Sequence, residues 1–228
     1  MYICQVAKTE NRLSRESVAE GALALADAEG LDALTIRRLA QELNVTPMAL
    51  YWHFKNKDEL LDGVLGRLWA RVDTTRDRSR PPLEQFRALT ESLLGVLREH
   101  RALVPLLQIP RSSEPSPGFL DAVETALDIL VEFGFDVPTA AAVCTNALRT
   151  TTALVLGEPG AAAPQQSPDD AAETTRRKRL ALESLPPQRY PNVVQAAPFL
   201  TFCADPEDHY TFGVDFFIGG IAALPLPR

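Results

Sequence analysis

Cysteine and histidine are scarce in this chain, three of each among 228 residues. Cys4, Cys144 and Cys203 are odd in number and widely separated, which argues against a disulfide framework and against a zinc-ligand cluster. Each thiol reads as a small buried hydrophobe, or as a redox sensor if its surroundings are exposed and electropositive. Long apolar runs are missing too. No stretch reaches the roughly 18 apolar residues of a membrane helix, and Met1 to Lys8 holds no run of signal-peptide length. A cytoplasmic protein without a membrane partner is expected. Sustained period-two alternation and Asn-Gly or Asp-Gly hairpin signals are absent, as is any repeat of about 20–50 residues. Nucleophile elbows, phosphate-binding loops, dinucleotide fingerprints and metal-spaced His or Asp clusters are also lacking. No catalytic residue, no metal ligand and no cofactor is therefore assigned.

Basic charge is in deficit, with 23 Lys and Arg against 30 Asp and Glu, a formal net charge of -7. Taken globally, that opposes nucleic-acid binding, because phosphate contacts need cations. Locally the balance inverts: between Ala33 and Lys57 stand Arg37, Arg38, Lys55 and Lys57 against Glu42 as the sole acid. A local basic footprint decides more than the total. Hydrophobic residues at 46% and charged ones at 23% fit a globular chain that can bury a sizeable core.

What is present is helical periodicity. Ser14 is placed to cap a first helix reaching Glu29, with Gly30 ending it. Thr35 caps a second, whose Ile36, Leu39, Ala40 and Leu43 share a face. After the Asn44-Val45 turn, Thr46 caps a third that opens on Pro47. A fourth starts at Asn56, carries Asp58 and Glu59 in its first turn, and runs to about Val72. The polar stretch Asp73–Arg80 before Pro81-Pro82 reads as a hinge. Further helices are expected over Leu83–His100, Phe119–Phe133, Pro138 to near Gly157, Asp169–Leu185, and from Asp205-Pro206 to before Pro225. Shorter ones are expected at Arg101–Ile109, interrupted by Pro105, and at Asn192–Ala197. Arg111–Gly118 and Glu158–Asp170 read as loops, the latter mobile.

Two short helices joined by a tight turn, Thr35–Leu43 and Thr46–Phe54, form a helix-turn-helix pattern, whose second helix enters the major groove. At about 100° per residue, Leu50 and Phe54 share one side while Met48, Tyr51, Trp52 and Lys55 take the other. An outward Tyr-Trp pair suits packing on DNA; the alternative is that both rings are core aromatics of an ordinary bundle. Arg37 is placed for a phosphate or a guanine, and Lys57 for a phosphate.

The segments Leu34-Thr35-Ile36-Arg37-Arg38-Leu39-Ala40-Gln41-Glu42-Leu43-Asn44-Val45 and Leu50-Tyr51-Trp52-His53-Phe54-Lys55-Asn56-Lys57 closely resemble the tetracycline repressor (TetR) family. Phe212 to Ile221 is similar to the last helix of the tetracycline-repressor subgroup, and Thr125 to Phe135 to its mid-region. The resemblance implies an all-α protein. A three-helix helix-turn-helix DNA-binding domain would occupy residues 1–60, and a larger ligand-binding and dimerisation domain residues 61–228. It implies DNA contacts from Thr35, Arg37, Thr46, Pro47, Met48, Tyr51, Trp52, His53 and Lys57. Pro47 and Met48 stand where the founding repressor has a glutamine-proline pair, and that glutamine reads a base, so a different operator is implied.

Thr145, Asn146, Arg149 and Thr152 make a polar stripe on an otherwise apolar helix. The stripe lines a ligand pocket, or else faces solvent or a partner subunit. The resemblance places a ligand around Leu103, Leu107, Phe119, Leu127, Asn146 and Arg149. The first tetracycline repressors hold a magnesium–drug chelate through histidines. Here Pro105 falls near one such position and Val72 and Asp73 near another, so a different, largely apolar small-molecule effector is expected. Phe212, Phe216, Gly219, Gly220 and Ala223 form one stripe on the final helix. The resemblance makes this a homodimer interface; the stripe could equally be intramolecular core. The implied function is a ligand-responsive regulator, a repressor released from a palindromic double-stranded operator. The alternatives are a non-DNA helical interaction module and a helical enzyme.

Overall fold

The computed structural model describes residues 13–109, 114–158, 167–202 and 205–226, and all secondary structure among them is helical. Ten α-helices follow in order: α1 Arg15–Glu29, α2 Ile36–Glu42, α3 Pro47–Tyr51, α4 Lys57–Trp69, α5 Pro82–Glu99, α6 Pro117–Phe133, α7 Val137–Leu156, α8 Pro168–Glu183, α9 Pro191–Thr201 and α10 Pro206–Ala222. Leu31–Ala33 and Arg101–Gln108 are 3-10 segments. The chain divides into two compact units after Arg67. That point lies beyond the 60/61 division read from the sequence, because the first turns of α4 belong to the N-terminal core. Gly63 lies against Phe54 and Ala19, and Arg67 pairs with Glu20 at 3.0 Å.

In the first unit, Ser14 Oγ accepts from the Ser17 amide at 3.1 Å while Ser17 Oγ accepts from the Ser14 amide at 2.8 Å. This capping box, with serine in place of the usual Glu or Gln, satisfies two backbone donors that the helix start leaves open. Val18, Ala22 and Ala26 of α1 are fully buried with Leu34, Leu39, Leu50, Phe54, Leu60 and Val64. Burying a side chain of the Leu or Phe class stabilises by about 1.5–3 kcal/mol. Thr35 and Thr46 cap α2 and α3, accepting from the amides of Arg38 and Ala49 at 3.1 and 3.3 Å. Asn44, at φ 53°, turns the chain between them, a left-handed position that Asn tolerates.

The second unit packs α5, α6, α7 and α10 together, and pairs α8 with α9. Pro105 lacks the N–H that an α-helix interior needs, and the residues around it form a 3-10 helix. Beside it, Arg101 donates to the Val155 carbonyl at 2.8 Å and pairs with Glu158. The Tyr210 hydroxyl donates to the same carboxylate at 2.7 Å, so the end of α7, the 3-10 segment and α10 meet at one point. Gly134 at φ 117° closes α6, and Asp136 caps α7 by accepting from the Thr139 amide at 2.9 Å.

Several boundaries differ from the sequence reading. α4 ends at Trp69, and the Arg71 and Val72 amides turn back onto the carbonyls of Leu68 and Trp69. α9 is longer than Asn192–Ala197 and tolerates Pro198. Of the expected loop Glu158–Asp170, residues 159–166 lie outside the described residues, and Pro168 already opens α8, capped by Ser167. Cys4 and Cys203 also lie outside them.

A Cβ built on Gly63 would stand 2.6 Å from Cε1 of the buried Phe54 ring, whereas one on Gly95, exposed in α5, meets nothing within 4 Å. Gly63→Ala is therefore expected to destabilise by about 1–3 kcal/mol. Gly95→Ala is expected to stabilise by about 0.5–1 kcal/mol through helix propensity. Chemical unfolding followed by circular dichroism reads both signs.

Candidate nucleic-acid interface and ligand cavity

α3 has only five residues, too few to persist alone. Its place is set by Leu50 and Phe54, both fully buried. Their burial turns the opposite side outward: Met48 is 67% exposed, Tyr51 47% and Trp52 84%. This excludes the reading of Tyr51 and Trp52 as core aromatics. Thr35, Arg37, Thr46, Pro47 and Lys57 are exposed and His53 is half-buried. All nine sequence-assigned residues thus lie on α2, α3, their caps, the α3–α4 turn and the start of α4.

The two neighbouring arginines have separate duties. Arg38 binds Glu29 through Nε at 3.0 Å and Glu42 through Nη2 at 2.8 Å. These bonds, to Glu29 first and then Glu42, hold its guanidinium well above the ordinary arginine value. Arg37, one residue earlier, is exposed and has no carboxylate partner among the described residues. Arg38 braces α2 while Arg37 keeps its charge available.

Arg15 carries no signal in the sequence, yet it reaches the end of α3. Its guanidinium donates to the His53 carbonyl and to Glu59 Oε1, each at 2.7 Å, and lies 4.4 Å from the Phe54 ring centroid. Glu59 Oε2 accepts from the Lys55 amide at 2.8 Å, and Asn56 Oδ1 accepts from the Glu59 amide at 2.8 Å. The Lys55 amide, with Arg15 second, holds the Glu59 carboxyl below the usual glutamate range. The turn carrying His53, Lys55 and Lys57 is therefore clamped from α1.

In the second unit α5, α6 and α7, with Trp69 and Val72, border a partly open cavity of about 350 Å³. Trp69, Val72, Phe86, Leu89, Leu93, Phe119, Ala126, Leu127 and Leu148 line it, with Thr90, Cys144 and Thr145 among them. The Trp69 and Phe119 rings meet edge-on at 5.0 Å. Of the six ligand residues assigned from the resemblance, Phe119 and Leu127 line this cavity. The other four do not. Leu103 is wholly buried and Leu107 half-buried in the 3-10 segment, and Asn146 and Arg149 are exposed on another face of α7. From the polar stripe only Thr145 reaches the cavity; Asn146 donates to the Ala142 carbonyl and Thr152 to those of Leu148 and Arg149. The sequence missed Phe86, Leu89, Thr90 and Leu93, although their spacing of three and four, with a lone threonine in an apolar stripe, was the available signal. Cys144 is half-buried, and burial pushes its thiol up, so it stays protonated.

Phe212 and Phe216 are 72% and 76% exposed, and Gly219 and Gly220 are exposed with open space above them. Within the chain this stripe is not core: α10 buries Tyr210, Val214, Ile218 and Ile221 instead. An open apolar groove runs between α7 and α10, lined by Pro138, Ala142, Val143, Asn146, Phe216, Phe217 and Gly220.

Among the described residues no group of three or more His, Cys, Asp or Glu is gathered to hold a metal ion. No described helix is long and apolar enough to cross a membrane.

A helix-turn-helix unit joined to a helical unit with an apolar cavity defines a one-component regulator. Residues 19–64 match the family described as bacterial regulatory proteins, tetR family, and residues 83–224 match the tetracyclin repressor-like C-terminal domain. The chain belongs to the TetR family of transcriptional regulators. It is 32% identical over 217 residues to the class D tetracycline repressor protein of Escherichia coli, covering 92% of this chain and 89% of that one. It is 30% identical over 228 residues to the transcriptional repressor DrrR1 of Streptomyces coeruleorubidus, covering 95% and 80%. Among solved structures, ActR of Streptomyces coelicolor in complex with actinorhodin superposes with a TM-score of 0.77 at 29% identity, covering 92% of this chain and 97% of that one.

Arg15→Ala is expected to weaken duplex binding about three- to thirtyfold, the loss of one or two charge-assisted hydrogen bonds. Glu59→Gln should weaken binding as well, although removing a negative charge near DNA would by charge alone strengthen it. Anisotropy titrations with a duplex selected from random DNA by the wild-type protein check both signs, and the double variant should lose little more than either single one.

Proposed function

We propose that the chain is a dimeric repressor that reads a two-fold operator through α3 and leaves it when an apolar small molecule occupies the cavity. The carrying observation is the outward Met48–Tyr51–Trp52 surface over the sealed Leu50 and Phe54. Solvated surfaces seldom group large rings in this way. Here the group is flanked by exposed Arg37 and Lys57, which supply phosphate contacts within a chain of net charge -7. Thr35, Thr46, Pro47 and His53 complete the DNA-contacting set. On this reading Met48 and Pro47 set the base preference.

The exposed Phe212, Phe216, Gly219 and Gly220 stripe is the dimer face. Small residues allow close helix approach, the rings fill the remaining space, and the symmetry matches two half-sites about 34–36 Å apart. An effector acts only by its differential affinity for the two states of the dimer. α4 is the natural lever, since one continuous helix carries Lys57 at its start and the cavity residue Trp69 at its end. Among the described residues no histidine or carboxylate lines the cavity, which supports an apolar effector over a magnesium–drug chelate. We read the chain as a cytoplasmic regulator with no catalytic role and no cofactor.

Tyr51→Ala and Trp52→Ala are each expected to reduce affinity for the selected duplex at least tenfold, about 1.4 kcal/mol. Their melting temperatures should stay within about 2 °C, as for surface substitutions. Wild-type binding should fall steeply with salt. Unchanged affinity in both variants, or binding indifferent to salt, would remove the repressor reading.

A further inference from the structure

The side chains that α3 and its following turn display narrow what the surface can read. Between Thr46 and Phe54 the chain holds no Arg, Lys, Asn, Gln, Asp or Glu. In the major groove guanine is read by Arg or Lys, adenine by Asn or Gln, and cytosine by Asp or Glu. α3 therefore carries no side chain for any of these contacts. Its polar groups are isolated ones: the Thr46 and Tyr51 hydroxyls, the Trp52 indole N–H and the His53 ring. Thr46 Oγ1 already accepts from the Ala49 amide at 3.3 Å. The nearby cations, Arg37 on α2 and Lys55 and Lys57 beyond α3, suit phosphates and guanine. What α3 offers instead is carbon and sulfur. Pro47 and Met48 are both exposed in its first turn, followed by the half-buried Ala49. One base edge in the major groove is apolar, the C5-methyl group of thymine. The unbranched, polarisable side chain of Met48 adapts its shape to such a group.

We propose that Met48 is the specificity-determining residue of α3 and that it reads the C5-methyl group of a pyrimidine, with Pro47 beside it. This rests on the reading of α3 as the element that enters the major groove, and it names the feature recognised there. The methyl group is read, and the hydrogen-bonding edge of the base pair is not. 5-Methylcytosine is then accepted where thymine stands, and uracil and unmodified cytosine are bound more weakly.

The test is anisotropy titration of the full chain with the duplex that it selects from random DNA. At each thymine of the half-site, on either strand and in both halves together, thymine is replaced by uracil, by cytosine and by 5-methylcytosine, each with its pairing partner. At one position at least, thymine and 5-methylcytosine are expected to bind within about threefold of each other. Uracil and cytosine should bind about fifteenfold more weakly there, the product of about fourfold for one buried methyl group in each half. Met48→Ala should bring the four duplexes within about threefold of one another, and Met48→Leu should keep the split between them. Three results on the wild-type protein overturn the proposal: thymine grouping with uracil and cytosine with 5-methylcytosine, equal binding of all four at every thymine, or a selected half-site without thymine. A Met48→Ala variant that keeps the split, or that binds none of the four, overturns it as well, since one methyl contact does not carry the whole affinity. In each of these cases steep salt dependence of the wild-type protein leaves the operator reading intact. If the protein selects no duplex at all, both fall.

Discussion

The burial of Leu50 and Phe54 beneath a five-residue helix is the constraint on which the recognition surface depends. A helix this short closes hardly any backbone hydrogen bonds of its own and does not survive on propensity. Two side chains without solvent exposure hold it, and Gly63 leaves room for the Phe54 ring where a side chain would collide. Because successive residues are about 100° apart, sealing Leu50 and Phe54 commits Tyr51 and Trp52 to the outside. Packing thus decides which chemistry is displayed, and Arg15 with Glu59 fixes where the display ends.

Charge is handled in the same local way. The chain is acidic overall, yet its cations are sorted. Arg38 is bound to two carboxylates and braces α2, Arg15 is bound to a carbonyl and a carboxylate and braces the α3–α4 turn, and Arg37 remains exposed. Exposed ion pairs contribute little to stability. Their value here is geometric, because they hold the exposed cations and rings on defined supports. In the sensor unit the opposite choice is made. The cavity is walled by aliphatic and aromatic side chains, and its two hydroxyls are spent on their own helices. Among the described residues that lining holds no charged side chain.

Much of the N-terminal unit was legible in the sequence, because its signals are local. Ser14, Thr35 and Thr46 are caps, Pro47 is a first-turn proline, Gly30 and Asn44 mark turns, and the apolar spacing names Leu39, Leu50 and Phe54 as buried. The cavity was legible only in part. Phe119 and Leu127 line it, but Leu103, Leu107, Asn146 and Arg149 do not. A polar stripe along α7 suggested inward groups, whereas the hydroxyl of Thr152 and the amide of Asn146 bond to the preceding turn of their own helix. Periodicity tells which residues share a face, not what that face meets.

The sequence by itself determined the all-helical class, the caps and breaks of most helices, the helix-turn-helix and the family, since each depends on neighbours within a few residues or on a contiguous motif. Tertiary structure alone decided which helices wall the cavity, that the Phe212–Phe216 stripe is bare rather than core, and that Arg15 secures the end of α3. Those facts come from groups tens of residues apart in sequence, as with Arg15 and Glu59. Their meeting depends on how whole helices pack, which no local pattern encodes.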